Sequence, residues 1–253
     1  LLRSNKCYKG EINFLKELMT LEDNKYEYQL EQPEFTGRYC NAKFMSLSRQ
    51  TRQYILQDDY IDFDIVASQP NIMLSYFKSH HMDCPKLEKY CEKRDKYIQK
   101  VIDTFELKDS MVDEKEYSPK DKAKELFTSI CNLGSIKSWA KKFDIDMDGF
   151  DYDYFEALQD EIKNNMWATT SIEKELFEHI KSQKKDRPLA SFASALYKQY
   201  ERKILEMVLE DDEVIYGIYA FDGAMFHKDV TDDFKIFEEN FQKAIVNEFG
   251  EHF

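Results

Sequence analysis

The stretch "YIDFDIVASQP", residues 60–70, carries two aspartates two positions apart inside an apolar run. Tyr, Ile, Phe and Val favour a half-buried pleat, so its first half is expected to be a β-strand. Side chains at i and i+2 share one face of a strand, which would point Asp62 and Asp64 the same way. Two carboxylates side by side on a buried face repel each other and lose hydration, a cost of several kcal/mol unless a cation compensates it. The stretch thus predicts a sheet with an acidic, cation-binding position.

Around it the pattern is helical. Pro70 opens a helix over 70–79, in the first turn where proline is tolerated, and amphipathic helices are expected at 10–21 and 46–57. A long charged helix follows at 85–104. In "SPKDKAKELFTSICNLG", residues 118–134, Ser118 is the N-cap, Pro119 the first helical residue, Asp121 the partner three positions on, and Gly134 the stop. Further helices are expected at 151–166, 171–182, 188–209 and 231–248. The second strand signal is "EVIYGIYAFDGAMFHK", residues 213–228, which reads as a hairpin with Asp222 and Gly223 at the turn. The expected fold class is α+β: a small antiparallel sheet surrounded by many helices. Asp62 and Asp64 come from one strand element and Asp222 from another. Carboxylates converging from separate strands hold two Mg²⁺ ions about 3.5–4 Å apart for in-line phosphoryl transfer.

Composition sets the bounds. The chain has 253 residues, 42% hydrophobic and 15% aromatic, which is globular and not disordered. No apolar run approaches the roughly 18 residues of a membrane span. The first residues carry neither a signal peptide nor an initiator Met, as expected of a piece of a longer protein. Five cysteines without a CxxC pair read as free thiols of an intracellular, reducing compartment. His80, His81, Cys84 and Cys91 fit no common zinc spacing. A net charge of −13 speaks against a dedicated nucleic-acid-binding module. Locally the balance reverses: residues 35–57 hold Arg38, Lys43, Arg49 and Arg52 and no acid, whereas 209–240 is densely acidic. A channel with one basic wall would show that asymmetry. "DIDMDG" at 144–149 mimics half an EF-hand loop, but the twelfth position is Phe155, which cannot ligate calcium. Trp139 and the aromatics at 150–155 read as core.

Taken in order, the segments resemble the polymerase module of family A DNA polymerases and, more loosely, the single-subunit RNA polymerases. "FTGRY" at 35–39 is similar to that family's Thr-Gly-Arg segment, and "SLSRQTRQYI" at 46–55 to the stretch after it. "DIVASQPNIM" at 64–73 resembles motif A, "KDKAKELFTSICNLG" at 120–134 motif B, and "YAFDGAMF" at 219–226 motif C. Replication proteins of viruses and mobile elements that carry Asp-Ile-Asp-Ile before His-Pro are a looser match; this chain has Gln69-Pro70 there.

The resemblance implies a right-hand polymerase palm with a fingers helix: one compact unit over 1–253, with fingers roughly at 71–200 and palm at 36–70 and 201–253. It implies a template-directed nucleotidyltransferase, DNA-directed and DNA polymerase-like, that extends a primer with two Mg²⁺ ions (or Mn²⁺). Asp64 and Asp222 would be the catalytic metal ligands with Asp62 beside them, and Lys124 the catalytic cation. Lys120, Lys124 and Gln69 would face the nucleotide. Arg38, Arg52, Thr36 and Gly37 would hold primer–template nucleic acid. A partner or fused replication domain and nucleoside triphosphates complete the partners, with no membrane. Gln199 and Glu201 would face the cleft.

The departures are specific. Gln69 stands where the DNA polymerases have the Glu that blocks a ribose 2′-hydroxyl, which admits a primase or RNA polymerase. Leu133 replaces an aromatic, and the spacing to Gly134 is one residue longer. Phe221 replaces a His and Gly223 an acid, which admits a degenerate palm acting as a scaffold in a replication complex.

Overall fold

The computed structural model describes residues 12, 13, 16, 29–30, 39–40, 47–65, 67–113, 115–148, 151–183, 186–209, 217–220, 223–228 and 234–250. The fold is α+β. Five short strands form one antiparallel sheet in the order β1–β2–β6–β7–β3, with β1 Gln29–Leu30, β2 Tyr39–Cys40, β3 Tyr60–Asp64, β6 Gly217–Ala220 and β7 Gly223–His227. A separate two-strand hairpin pairs β4 Ser110–Val112 with β5 Lys115–Tyr117. The helices are α1 Arg49–Leu56, α2 Ser68–Ser79, α3 Pro85–Glu92, α4 Arg94–Thr104, α5 Pro119–Cys131, α6 Ile136–Lys142, α7 Asp153–Ile172, α8 Lys174–Gln183, α9 Pro188–Leu209 and α10 Phe234–Phe249. Ile12, Asn13 and Lys16, within the helix expected at 10–21, are helical. Among the described residues no helix is long and apolar enough to cross a membrane.

Contacts gather into two compact units: residues 1–66 with 198–244, which contains the five-strand sheet, and residues 67–197 with 245–253, which is mainly helical. In the sheet unit, Ser48 caps α1 by accepting from the Thr51 amide at 3.0 Å. Lys228, just past β7, donates its backbone N–H to Asp59 and its ammonium to the Asp58 carbonyl at 2.6 Å. Those bonds fasten the chain ahead of β3 to the end of β7 and hold the strand register.

The helical unit has a continuous core. Lys122, Ala123, Leu126, Phe127, Ile130 and Cys131 are buried on α5 at helical spacing. Phe127 stacks on Tyr90 of α3 with centroids 3.9 Å apart, and Tyr197 of α9 donates its buried hydroxyl to the Cys131 carbonyl at 2.7 Å. The start of α3 has no side-chain cap of its own; the Glu161 carboxylate of α7 accepts from the Lys86 and Leu87 amides instead. Trp139 is core, 2% exposed, with its indole N–H on the Lys122 carbonyl.

The helix expected over 85–104 is two helices broken at Lys93, whose φ of −129° leaves the helical region. Neither Gly nor Pro marks that break in the sequence. The Ser118 start of α5 forms as expected: Ser118 accepts from the Asp121 amide, and the Asp121 carboxylate takes the Ser118 amide and hydroxyl. That hydroxyl holds the Asp121 carboxyl below its ordinary pKa. Ser118→Ala is expected to cost about 1 kcal/mol at neutral pH in chemical denaturation. A lowered native pKa gives stability that is complete above the unfolded carboxyl value of about 3.9 and fades as pH falls through the native one. The gap between variant and wild type should therefore narrow in acid.

Candidate active site

β3 and β7 pair antiparallel over five positions, and the register sets Asp64 opposite Gly223 and Asp62 opposite Met225. β6 and β7 pair with Ala220 opposite Gly223, and β2 meets β6 with Cys40 opposite Ala220. One row of backbone therefore crosses all five strands: Gln29, Cys40, Ala220, Gly223, Asp64. At that end of the sheet β3 finishes, β6 gives way to β7, and β2 begins. Paired Cα atoms in such a ladder lie about 4.5–5.5 Å apart.

Gly223 opens β7 and is paired, so it is a strand residue and not the turn residue its Asp-Gly pattern suggests. The residue before it, Asp222, lies outside the described residues, as do Thr36, Gly37 and Arg38, which precede β2 in the chain. Asp64 is solvent-exposed, which corrects the expectation of a buried acidic face. β3 is the last strand of the row, so a second strand shields it on one side only. Exposure keeps the carboxylate hydrated and lowers the repulsion it would otherwise feel.

Arg52 of α1 donates from Nη1 to the Leu47 carbonyl at 2.9 Å, a bond that fixes its guanidinium against its own segment. Glu201 of α9 is 1% exposed and Gln199 is half-buried.

The helical unit brings two other groups together. Gln69 sits in the first turn of α2, and its side-chain carbonyl accepts from Asn132, the C-cap of α5, at 3.1 Å. Lys120 and Lys124 lie one turn apart along α5, the first exposed and the second half-buried. Between them Lys122 is 4% exposed, and its ammonium reaches the Phe143 ring at 5.5 Å. Desolvation lowers its pKa, with Asp109 opposing. The sequence singled out the two flanking lysines; the buried one has no signal beyond its place on the apolar stripe.

The zinc-like set has structural duties. His80 stacks on Tyr76 at 4.2 Å and hydrogen-bonds the Tyr76 carbonyl. Burial pushes the Cys84 thiol up to about 11 and that of Cys91 up to about 12, which keeps both protonated. Among the described residues no three His, Cys, Asp or Glu side chains converge to hold a metal. A Mg²⁺ ion needs less, because it keeps several waters and binds through one or two carboxylates plus substrate phosphates. Asp64, an exposed carboxylate at the end of a paired strand, fits that requirement.

No protein-family model matches the chain, and no solved structure does. In an alignment of 237 positions that covers 88% of the chain, it is 27% identical to a protein of the Sputnik virophage named "Putative helicase V13"; the chain spans 27% of that protein.

Proposed function

We propose that this chain is the polymerase module of a viral-type replication protein, a template-directed nucleotidyltransferase on a palm-like sheet. The observation that supports it best is the row through Asp64 and Gly223: it ends β3 opposite the residue that follows Asp222. Two aspartates from the ends of paired strands are what a two-metal site requires.

In this reading Asp64 and Asp222 hold the cations, with Asp62 beside them. Two divalent ions supply, when bound, activation of the primer 3′-hydroxyl and neutralisation of charge on the triphosphate. Lys124, with Lys120 one turn away, pairs with the phosphates of the incoming nucleotide. Arg38, Thr36, Gly37 and Arg52 hold the primer–template backbone. Gln69 lies beside the sugar, with its amide oriented by Asn132.

The relative's name points to a helicase. An ATP-driven motor of the phosphate-loop kind needs Gly-Lys-Ser or Gly-Lys-Thr, and none of the seven glycines here precedes a lysine. We therefore read the shared quarter as the part that copies, in a protein whose other parts unwind.

Primer extension with dNTPs and with rNTPs, with and without Mg²⁺ or Mn²⁺, tests the proposal. Metal-dependent incorporation of dNTPs is expected. Incorporation of rNTPs at a comparable rate would move the assignment to a primase or RNA polymerase, as Gln69 allows. No incorporation with either metal would leave a scaffold.

Lys124→Ala is expected to raise the nucleotide KM about 10- to 100-fold, the scale of one charge-assisted hydrogen bond to phosphate. Its denaturation midpoint should stay close to wild type. An unchanged KM would remove Lys124 from the site.

A further inference from the structure

A second candidate site lies within the helical unit. A cavity of about 290 Å³ opens between α7 and the first turn of α9, and its lining includes Gln159, Lys163, Trp167, Arg187, Leu189 and Leu133. Gln159, Lys163 and Trp167 follow one another at four-residue intervals and so form one stripe of α7.

Three observations make this more than a packing fault. Trp167 is 50% exposed, although it is the largest apolar side chain type and the chain's other tryptophan is 2% exposed. It is braced by an edge contact with Phe177, whose ring meets Phe192 of α9 in turn. The charged residues of the lining are Lys163 and Arg187, with no carboxylate among them, in a chain of 49 acidic and 36 basic residues. Finally, Leu133 and Arg187 both hold left-handed backbone, at φ 56° and 51°, and the Arg187 guanidinium donates to the Leu133 carbonyl at 2.9 Å. Left-handed backbone is strained for such residues. Here it sets the arginine at the rim.

We propose that this cavity binds a nucleotide: one base stacks on Trp167 while Lys163 and Arg187 pair with its phosphate. The volume is just below the roughly 300–1,000 Å³ of ligand pockets, which suits a single ring system. An indole offers a stacking face to any base, and paired cations recognise phosphate. The source is either a free nucleoside phosphate or a single strand. The inference does not rest on the polymerase reading.

Tryptophan fluorescence of the full chain reads the site, because Trp139 is buried and stays constant. Adenosine monophosphate and a short oligodeoxythymidylate are the probes. Saturable quenching is expected from at least one: from the mononucleotide if the ligand is free, from the oligomer alone if it is a strand. In the Lys163→Gln/Arg187→Gln double variant the affinity should fall about 10- to 100-fold and become less sensitive to salt. Trp167→Ala, followed by anisotropy of a labelled oligomer or dialysis of labelled mononucleotide, should lose about as much. Lys163 is exposed, so Lys163→Gln alone keeps the test usable if a larger change unfolds the chain. Absence of quenching by both probes overturns the proposal, as does undiminished affinity in the folded variants. Asp64→Asn should leave this binding intact, so failure here and failure of the polymerase reading are separable.

Discussion

Asp64→Asn is expected to lower metal-dependent primer extension by about three orders of magnitude and to leave the fold standing. Asparagine keeps the shape of the side chain and one carbonyl oxygen but removes the negative charge. A ligand shared between two cations supplies several kcal/mol of charge stabilisation, and each 1.36 kcal/mol is tenfold in rate. Because Asp64 is exposed at the end of β3, the change in stability should stay within about 1 kcal/mol, the scale of an exposed charge interaction. A buried aspartate beside a second one would instead gain stability when neutralised, and the exposure of Asp64 removes most of that gain. Mg²⁺ should raise the melting temperature of wild type more than that of the variant, since binding to the native state alone stabilises it. A variant that melts several degrees lower without metal would make Asp64 a structural partner in the sheet. Extension at the wild-type rate would take the polymerase reading away at its centre.

What could be read from the sequence follows from how much signal each element carries. Strand β3 carries Tyr, Ile and Phe, β6 carries Ile and Tyr, and β7 carries Met225 and Phe226, so their positions are legible. Strands β1 and β2 are two residues each, too short for any periodicity, although both contribute to the row through Asp64, with β1 at its outer end. The β4–β5 hairpin is three residues a side, and the charges of β5 mask its strand character. Exposure of Asp64 depends on which strand ends the sheet, and no local pattern encodes that. The cavity beside Trp167 is built from three separate segments, so no single stretch announces it. At the end of α5 the glycine of the stop pattern is not the left-handed residue, for another reason. With seven glycines in 253 residues, the left-handed position after a helix falls mostly to other residues, Gly250 after α10 excepted. His81, Glu106, Leu133 and Asp144 occupy it at the ends of α2, α4, α5 and α6.

The end of α5 turns that observation into an expected result of opposite kind from the one the Gly134 stop suggests. The Leu133 amide bonds the Ile130 carbonyl, and the Gly134 amide bonds the Ser129 carbonyl at 2.7 Å, the pair of bonds that defines a Schellman end. Leu133, not Gly134, carries the positive φ. Gly134 is needed for closeness: a Cβ there would overlap the Ser129 hydroxyl and lie 2.9 Å from the Ser129 carbonyl oxygen. Gly134→Ala should therefore cost about 1–3 kcal/mol, the range for forcing extra atoms into filled space. Ser129→Ala in the same chain clears the hydroxyl but not the carbonyl, so it should restore only part of that loss. Leu133→Gly is expected to stay within about 1 kcal/mol of wild type, because relief of the left-handed conformation opposes the lost leucine packing and the greater freedom of the unfolded chain. Urea denaturation of the three variants gives the order. Were Gly134→Ala to match wild type while Leu133→Gly collapsed the fold, the close approach at Ser129 would not be what ends α5. Asn132 and Leu133 also hold Gln69 and Arg187 through hydrogen bonds, so a Gly134→Ala chain that folds should show weakened binding at the Trp167 cavity.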